Sequence, residues 1–139
     1  MRQIGLGIFQ ATPQMFNLVN RVLRSGRISY GPLSQEFESR FAQMHCCQYG
    51  VLSNSGTSSL LVALQTLKEL HGWQDGDEVI VPDITWVATA NAVAYTGATP
   101  VFADIDKSTW CIDPESIKKK ISPKTKAIMP VHLYGHACD

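Results

Sequence analysis

The sequence predicts an α/β fold with a mostly parallel sheet, and two observations indicate it. From residue 50 onward, strand-like apolar segments alternate with helix-like segments, which is the pattern of βαβ units. The connecting turns fit this order, since "DGDE" precedes one strand and "DPES" offers Asp113 as an N-cap with Pro114 at the first helical position. With 139 residues, 45% of them hydrophobic, the chain is long enough to bury a core.

Two helices are predicted before the alternation begins. Apolar residues at helical spacing predict a helix over residues 12–25, which the loop "SGRISYGP" ends. A second helix is predicted from Ser34 to about Met44, with Phe37 and Phe41 on one side. Residues 1–49 would therefore hold N-terminal helices and a loop, and residues 50–139 the βαβ units.

The later elements are predicted in strict alternation. Strands are expected at "YGVLSN" (49–54), "DEVIVP" (77–82), "TPVFADI" (99–105) and "TKAIMPVHL" (125–133), and helices at about 56–70, 85–95 and 113–121. A parallel sheet is normally covered by helices on both faces, and only three crossover helices are available here. We therefore expect this chain to be part of a larger domain.

Composition excludes several classes of function. The formal net charge is zero and the longest run of one sign is Lys118–Lys120, which favours neither a nucleic acid nor an acidic membrane as partner. No segment approaches the roughly 18 apolar residues of a membrane helix, and "MRQIGLGIFQATPQMF" is too interrupted for a signal-peptide core. The sequence therefore predicts a cytoplasmic protein.

Cysteine and histidine residues do not predict a metal site. The four cysteines, Cys46, Cys47, Cys111 and Cys138, are irregularly spaced, so reduced thiols are expected rather than disulfides. His45 beside Cys46 favours packing around a helix end, because adjacent residues rarely converge on one ion. "HLYGHACD" resembles a metal cluster only superficially, since Gly135 interrupts any common helical face.

The stretch "LSNSGTSSLLVAL", residues 52–64, is the first candidate site. Ser and Thr side chains directly before an apolar helix can cap its free amides, and the same helix start can bind an anion such as phosphate. The stretch lacks the P-loop and dinucleotide-binding patterns, so neither a nucleoside triphosphate nor NAD is indicated. Capping and anion binding both remain open from the residues alone.

Trp86 is the second candidate, because it follows the next predicted strand and would stand at the same sheet edge. A broad aromatic face beside a phosphate site suits a flat ring. A lone Trp is more often a core residue, so this interpretation depends on the neighbouring Ser-Gly-Thr loop.

Four stretches in their order and spacing carry a more specific resemblance. They are "SGRISYGPLSQEFESRFA", "NSGTSSLLVAL", "GDEVIVPDITWVATANAVAYTGATPVFADID" and "TKAIMPVHLYGHACD". Together they resemble the DegT/StrS-type sugar aminotransferases, which use pyridoxal 5'-phosphate (PLP) and belong to fold type I of the aspartate aminotransferase superfamily. The resemblance implies a three-layer α/β/α PLP-dependent transferase fold, of which residues 1–139 would be the N-terminal, incomplete part of the PLP-binding large domain.

The resemblance also implies roles for particular residues. Gly56 and Thr57, with Ser55 as a weaker candidate, would contact the cofactor phosphate, and Trp86 would stack on the pyridine ring. Tyr30 and Gly31 would lie near the sugar substrate. His132 and Tyr134 would lie near the active site without an assigned step.

No catalytic residue is assigned within the chain. The family needs an Asp that pairs with the pyridine nitrogen and a Lys that binds PLP covalently, and the resemblance implies that both lie beyond Asp139. Neither Asp104 nor Asp106 matches the first, and no lysine present matches the second. A homodimer is expected for the full-length protein.

The function implied is transfer of an amino group from an amino acid, with glutamate expected, to a keto group of a nucleotide-linked sugar. One alternative is a PLP-dependent sugar dehydratase of the same family, in which the lysine is replaced. Another is a non-catalytic truncated product, and this fragment alone is expected to be inactive.

Overall fold

A computed structural model describes residues 9–139 and divides the chain into two compact units, one ending at Leu52 and the other spanning Ser53–Asp139. Residues 1–8, which are the first half of the segment considered as a signal peptide, lie outside the described residues. The assignment of the whole chain to one large domain stays a prediction. The two units are described in turn.

The first unit consists of two helices, α1 (Pro13–Ser25) and α2 (Pro32–Met44). The Thr12 hydroxyl accepts the Met15 N–H at 3.3 Å and caps α1, and Gly26 ends this helix at a left-handed φ of 67°. Both predicted helices are confirmed. Helix α2 begins at Pro32 rather than Ser34, because proline suits the first helical position.

The described part of the first unit has little buried apolar surface. Ala42 is its buried hydrophobic residue, and Phe37 stacks on Phe41 with ring centroids 5.6 Å apart. His45 caps the C-terminus of α2 and packs on Phe41, which agrees with the predicted packing around a helix end. The large apolar side chains of α1 are mostly exposed, namely Met15, Phe16, Leu18, Val19 and Leu23.

The second unit contains the predicted alternation. Its elements are α3 (Gly56–His71), β1 (Glu78–Pro82), α4 (Ala88–Tyr95), β2 (Thr99–Ala103), α5 (Pro114–Lys120), β3 (Thr125–Ile128) and a short 3-10 turn (Leu133–Gly135). The three strands form a parallel sheet in the order β2-β1-β3. Asp113 accepts the Glu115 N–H at 2.9 Å, which confirms it as the N-cap of α5.

Helices cover both faces of the central strand β1. Val79 and Val81 point to one face, where they pack with Leu64 of α3 and with Ala92 and Val93 of α4. Ile80 points to the other face, and the cluster around it comprises Ala103 and Ile112 with Val101 and Ile117 of α5. Consecutive side chains of a strand face opposite sides, so a fully apolar strand predicts this arrangement. The predicted α/β class is confirmed, with a small sheet that is incomplete relative to a full domain.

The predicted strand over "YGVLSN" is wrong. Residues 49–54 form no strand, because none of the strands among residues 9–139 pairs with this segment. The Leu52 N–H donates to Glu38 Oε1 at 2.7 Å. A Cβ placed on Gly50 would lie 2.6 Å from the Glu38 carbonyl oxygen, so only glycine allows this close approach.

Two other predicted boundaries shift. The last strand ends at Ile128 instead of continuing to residue 133. The Met129 N–H still donates to the Ile80 carbonyl, but Pro130 has no N–H and the pairing stops there. Helix α4 begins at Ala88 instead of residue 85. Residues 83–87 are therefore a loop at the carboxyl end of β1, and they include Trp86.

Candidate functional site at the carboxyl edge of the sheet

Ser55 caps helix α3. Its backbone is extended, its Oγ accepts the Ser58 N–H at 3.1 Å, and it donates to Ser58 Oγ at 3.0 Å. The capping interpretation of the Ser-Gly-Thr stretch is therefore confirmed for Ser55. The hydroxyl of this residue is already engaged, which leaves the anion-binding alternative to its neighbours.

Gly56 and Thr57 present unpaired backbone donors at the start of α3. Among residues 9–139, no group accepts a hydrogen bond from either N–H, as expected for the first residues of a helix. Both residues are exposed, and a Cβ placed on Gly56 would meet no atom within 4 Å. The N-terminus of this 16-residue helix therefore has free donors and open space, which fits a phosphate group.

Two further hydroxyl groups brace this helix start. Ser53 Oγ donates to the Ser55 carbonyl at 2.8 Å and lies 2.5 Å from Ser59 Oγ, and Ser59 Oγ lies 3.2 Å from the same carbonyl. These bonds fix the backbone direction of Ser55. The direction of the free Gly56 and Thr57 N–H groups, which follow Ser55, is consequently constrained as well.

Helices α3 and α4 begin on the same side of the unit. Lys68, in the last turn of α3, donates to the carbonyl oxygen of Thr96, the residue that follows α4, at 2.6 Å. The two helices also share one apolar cluster, so they run side by side from a common end. A helix rises 1.5 Å per residue, so Gly56 lies about 18 Å along the helix from Lys68, and Trp86 lies about 15 Å from Thr96. Both residues therefore lie toward the same edge. Because α4 follows β1, this is the carboxyl edge of the sheet, where ligands of open α/β folds bind.

Trp86 is 76% exposed. Within residues 9–139 the indole is therefore not packed in a core. The Thr89 N–H donates to the Trp86 carbonyl at 3.0 Å, and the hydroxyls of Thr85 and Thr89 lie 3.1 Å apart, so the loop that carries the indole is tied to the first turn of α4. An exposed indole on a held backbone can offer its face to a flat ring.

A cleft lies in the same unit, among the segments that follow the carboxyl ends of the three strands. It has a volume of about 590 Å³ and is lined by Ile84, Ser108, Thr109, Trp110, Leu133, Tyr134 and His136. Trp110 and Tyr134 both have positive φ, 60° and 52°, a conformation that is uncommon for aromatic residues. Sequence reasoning placed Tyr134 near the site but missed Trp110, because nothing in the residue pattern announces its left-handed backbone.

The other polar residues of this edge have local partners. Asp106 accepts hydrogen bonds from Ser108 and from the Thr109 N–H, and these bonds lower the pKa of its carboxyl group. His132 Nδ1 accepts the Cys138 N–H at 3.0 Å and so fixes the loop after the 3-10 turn. Lys118, Lys119 and Lys120 are exposed in the last turn of α5, which leads to the amino end of β3 and so lies away from this edge. These contacts give Asp106 and His132 structural roles.

The candidate substrate residues lie in the first unit, in the loop between α1 and α2. Arg27 Nε donates to the Tyr30 carbonyl at 3.0 Å, and Tyr30 Oη donates to Glu38 Oε2 at 2.5 Å. Gly31 is buried at the start of α2, and the Arg27 side chain lies 3.2 Å from where a Cβ would stand. Beside this loop is a cavity of about 400 Å³ whose lining includes Arg21, Arg27 and Gly31.

Residues 9–139 hold neither a candidate metal site nor a candidate membrane-spanning helix. This part of the chain contains no group of three or more His, Cys, Asp or Glu side chains arranged to hold a metal ion. Among the helices of the same residues, none has the length and apolar character needed to cross a membrane.

Known proteins are similar to this chain in sequence. The profile of the DegT/DnrJ/EryC1/StrS aminotransferase family matches residues 10–139. GDP-perosamine synthase of Escherichia coli O157:H7 is 49% identical over 122 residues, which are 87% of this chain and 32% of that protein. L-glutamine:2-deoxy-scyllo-inosose aminotransferase of Streptomyces kanamyceticus is 44% identical over 137 residues, with coverages of 94% and 31%.

Solved structures of PLP-dependent enzymes also superpose on this chain. A Streptococcus pneumoniae protein solved in PLP and PMP forms superposes with a TM-score of 0.85 at 37% identity, covering 94% of this chain and 32% of that one. GDP-4-keto-6-deoxy-D-mannose-3-dehydratase of E. coli, solved with bound hydrated PLP, superposes with a TM-score of 0.88 at 30% identity, covering 97% and 35%. PLP, the cofactor that the resemblance implies, is thus the cofactor named for these structures.

The chain spans about a third of the length of the relatives and structures that it matches. Within that third the match is continuous from residue 10 to residue 139. It includes the Ser-Gly-Thr start of α3 and the Trp86 loop. The chain belongs to the DegT/DnrJ/EryC1/StrS aminotransferase family.

Proposed function

We propose that this chain is the N-terminal part of a PLP-dependent aminotransferase that moves an amino group from an amino acid to a keto group of a nucleotide-linked sugar. One observation carries the proposal: α3 and α4 begin at the same sheet edge, where one offers unpaired amides and the other an exposed indole. A ligand that carries a phosphate group on a flat aromatic ring is complementary to this pair of features.

Each candidate residue has a role in this proposal. The Gly56 and Thr57 N–H groups and the Thr57 hydroxyl bind the phosphate, and Trp86 stacks on the pyridine ring. When bound, PLP supplies the electron sink for the exchange of an amino and a keto group. Tyr30 and Gly31 contact the sugar substrate, and the covalent Lys and the Asp at the pyridine nitrogen come from sequence after Asp139.

A sugar dehydratase is the second candidate. The observation that favours it is the superposition with the E. coli dehydratase, whose TM-score is 0.88 compared with 0.85 for the S. pneumoniae protein. The 49% identity to GDP-perosamine synthase over 87% of the chain, against 30% to the dehydratase, favours the aminotransferase.

The test uses the complete protein with PLP, a nucleotide-linked keto sugar and glutamate carrying a nitrogen-15 amino group. We expect the label in the sugar product, detected by mass spectrometry. Labelled glutamine is the parallel donor, because one relative is named for glutamine. A product that has lost water and gained no nitrogen would favour the dehydratase, and absence of both products would overturn the proposal.

The proposed enzyme is a cytoplasmic homodimer. The dimer is supported by the family resemblance and by apolar side chains of α1, such as Phe16 and Val19, that the described residues leave exposed. Sedimentation of the complete protein measures its oligomeric state, and a monomer at micromolar concentration would contradict this part of the proposal.

A further inference from the structure

Glu38, in the middle of α2, is the residue on which the loop before this helix and the segment after it converge. Tyr30 Oη donates to Glu38 Oε2 at 2.5 Å, and the Leu52 N–H donates to Glu38 Oε1 at 2.7 Å. The Gly50 backbone packs so closely on the Glu38 carbonyl that a Cβ there would lie 2.6 Å from the oxygen. The carboxylate therefore binds the loop before α2 with one oxygen and the segment after α2 with the other.

Electrostatics agree with this geometry. Hydrogen bonds from Tyr30 and from the Leu52 N–H lower the pKa of the Glu38 carboxyl group, and the bond to Glu38 raises the pKa of the Tyr30 phenol. The carboxylate is therefore ionised and the phenol protonated near neutral pH, which is the state in which the phenol donates. A charge-assisted hydrogen bond of this kind is shorter and stronger than a neutral one.

The loop that carries Tyr30 has few other constraints. Ser25, Arg27 and Gly31 make local contacts in it, whereas the phenol of Tyr30 is anchored by Glu38 alone among residues 9–139. Ile28 and Tyr30 are exposed, at 80% and 51%. Without Glu38 the Tyr30 phenol would lose this anchor, which among residues 9–139 is the bond that joins the loop to the middle of α2.

We infer that Glu38 is a positioning residue that holds the Tyr30 phenol in the geometry needed for sugar-substrate binding, while the bond from the Leu52 N–H fixes the carboxylate itself. The inference rests on the proposed function, because it takes Tyr30 as a substrate contact. Glu38 itself touches no substrate in this account. Its effect should therefore appear in substrate affinity and should pass through Tyr30.

The kinetic test compares Glu38→Ala, Tyr30→Phe and the double variant in the complete holoenzyme. We expect Glu38→Ala to raise KM for the nucleotide sugar about tenfold, with kcat changed much less, because a hydrogen bond to a charged group is lost. If Glu38 acts through Tyr30, the double variant should have nearly the KM of Tyr30→Phe alone. Additive effects of the two substitutions would overturn the inference.

Glu36→Gln is the matched control. Glu36 lies on the same helix and pairs with Arg40 at 2.6 Å, exposed and away from Tyr30. It should leave KM unchanged. Glu38→Gln keeps one acceptor oxygen but loses the charge, so its KM should lie between those of the wild type and Glu38→Ala.

A second measurement reads the contact without catalysis. Fluorotyrosine placed at position 30 of the complete protein should show a fluorine NMR signal that moves in Glu38→Gln and does not move in Glu36→Gln. An unmoved signal in both variants would overturn the inference even if the enzyme is an active aminotransferase. A wild-type protein that neither binds PLP nor turns over a nucleotide sugar, with a moved signal, would instead overturn the proposed function and the substrate role of this contact with it.

Discussion

The two units of this chain have helices of similar regularity but very different interiors. In the second unit, Val79, Ile80 and Val81 of β1 have no exposed surface, and helices cover both faces of the strand. In the described part of the first unit, α1 has no buried residue, although its sequence is strongly amphipathic. Caps and local spacing therefore suffice to define a helix, whereas burial requires a partner element.

The largest expected effect tests this difference in burial. Ile80→Ala should lower the free energy of unfolding by about 2–5 kcal/mol, because it opens a cavity between the sheet and α5. Met44→Ala at the end of α2 should change it by less than about 0.5 kcal/mol, because that side chain is 79% exposed and does not belong to the apolar face of α1 on which the proposed dimer rests. Urea unfolding of the complete protein measures both. A large loss at Met44 would show that the rest of the protein covers the end of α2 and would remove the contrast between the units.

The second prediction concerns the free donors and exposed indole at the carboxyl edge. Gly56→Val should weaken PLP binding by about tenfold or more by filling the space beside the free amides, and Thr57→Ala should weaken it by removing a hydroxyl donor. Trp86→Ala should weaken binding and alter the absorbance of bound PLP. Absorbance titration measures the affinities, and thermal melts without cofactor provide the comparison.

Stability separates binding from capping in these variants. A Cβ at Gly56 meets no atom and Trp86 is 76% exposed, so apoprotein stability should change by less than about 0.5 kcal/mol in either variant. Ser55→Ala is the control, since loss of this cap should cost about 0.5–2 kcal/mol with a smaller effect on PLP. Unchanged PLP affinity in the Gly56, Thr57 and Trp86 variants would refute the site assignment.

Sequence reasoning succeeds here where the signal is local. The caps Ser55 and Asp113 and the apolar run of β1 were all predictable, because the residues that determine each structure are adjacent in sequence. "YGVLSN" has the same strand-like composition but forms no strand, since pairing depends on a distant partner.

The candidate site shows the same limit. Spacing after the predicted strands placed Trp86 at the right edge, yet only the structure separates an exposed indole from a core one. The positive φ of Trp110 had no sequence signal at all, because aromatic residues rarely adopt it. The Glu38 contacts join residues 8 and 14 positions apart, beyond the reach of helical periodicity.

The smallest expected effect concerns the common end of α3 and α4 and depends on pH. Lys68, whose side chain is 19% exposed, donates to Asp75 Oδ1 at 2.5 Å as well as to the Thr96 carbonyl. The bond and charge of Lys68 lower the pKa of the Asp75 carboxyl group below its ordinary value of 3.8. A carboxyl group with a lowered pKa in the folded state stabilises that state above its unfolded pKa, and this contribution disappears as pH falls through the folded pKa.

Asp75→Asn should therefore lower the midpoint of urea unfolding modestly near pH 7, and the difference from the wild type should shrink as the pH falls below 3.8. Asp75 is exposed, so water screens the pair and the effect should be much smaller than that of Ile80→Ala. Glu115→Gln is the matched control, because Glu115 forms an exposed pair with Lys118 within a single helix and joins no two elements. A difference between wild type and Asp75→Asn that stays constant from pH 7 to below 3.8 would contradict a role for the Asp75 charge. It would leave the Lys68 bond to Thr96 as the contact that holds the two helix ends together.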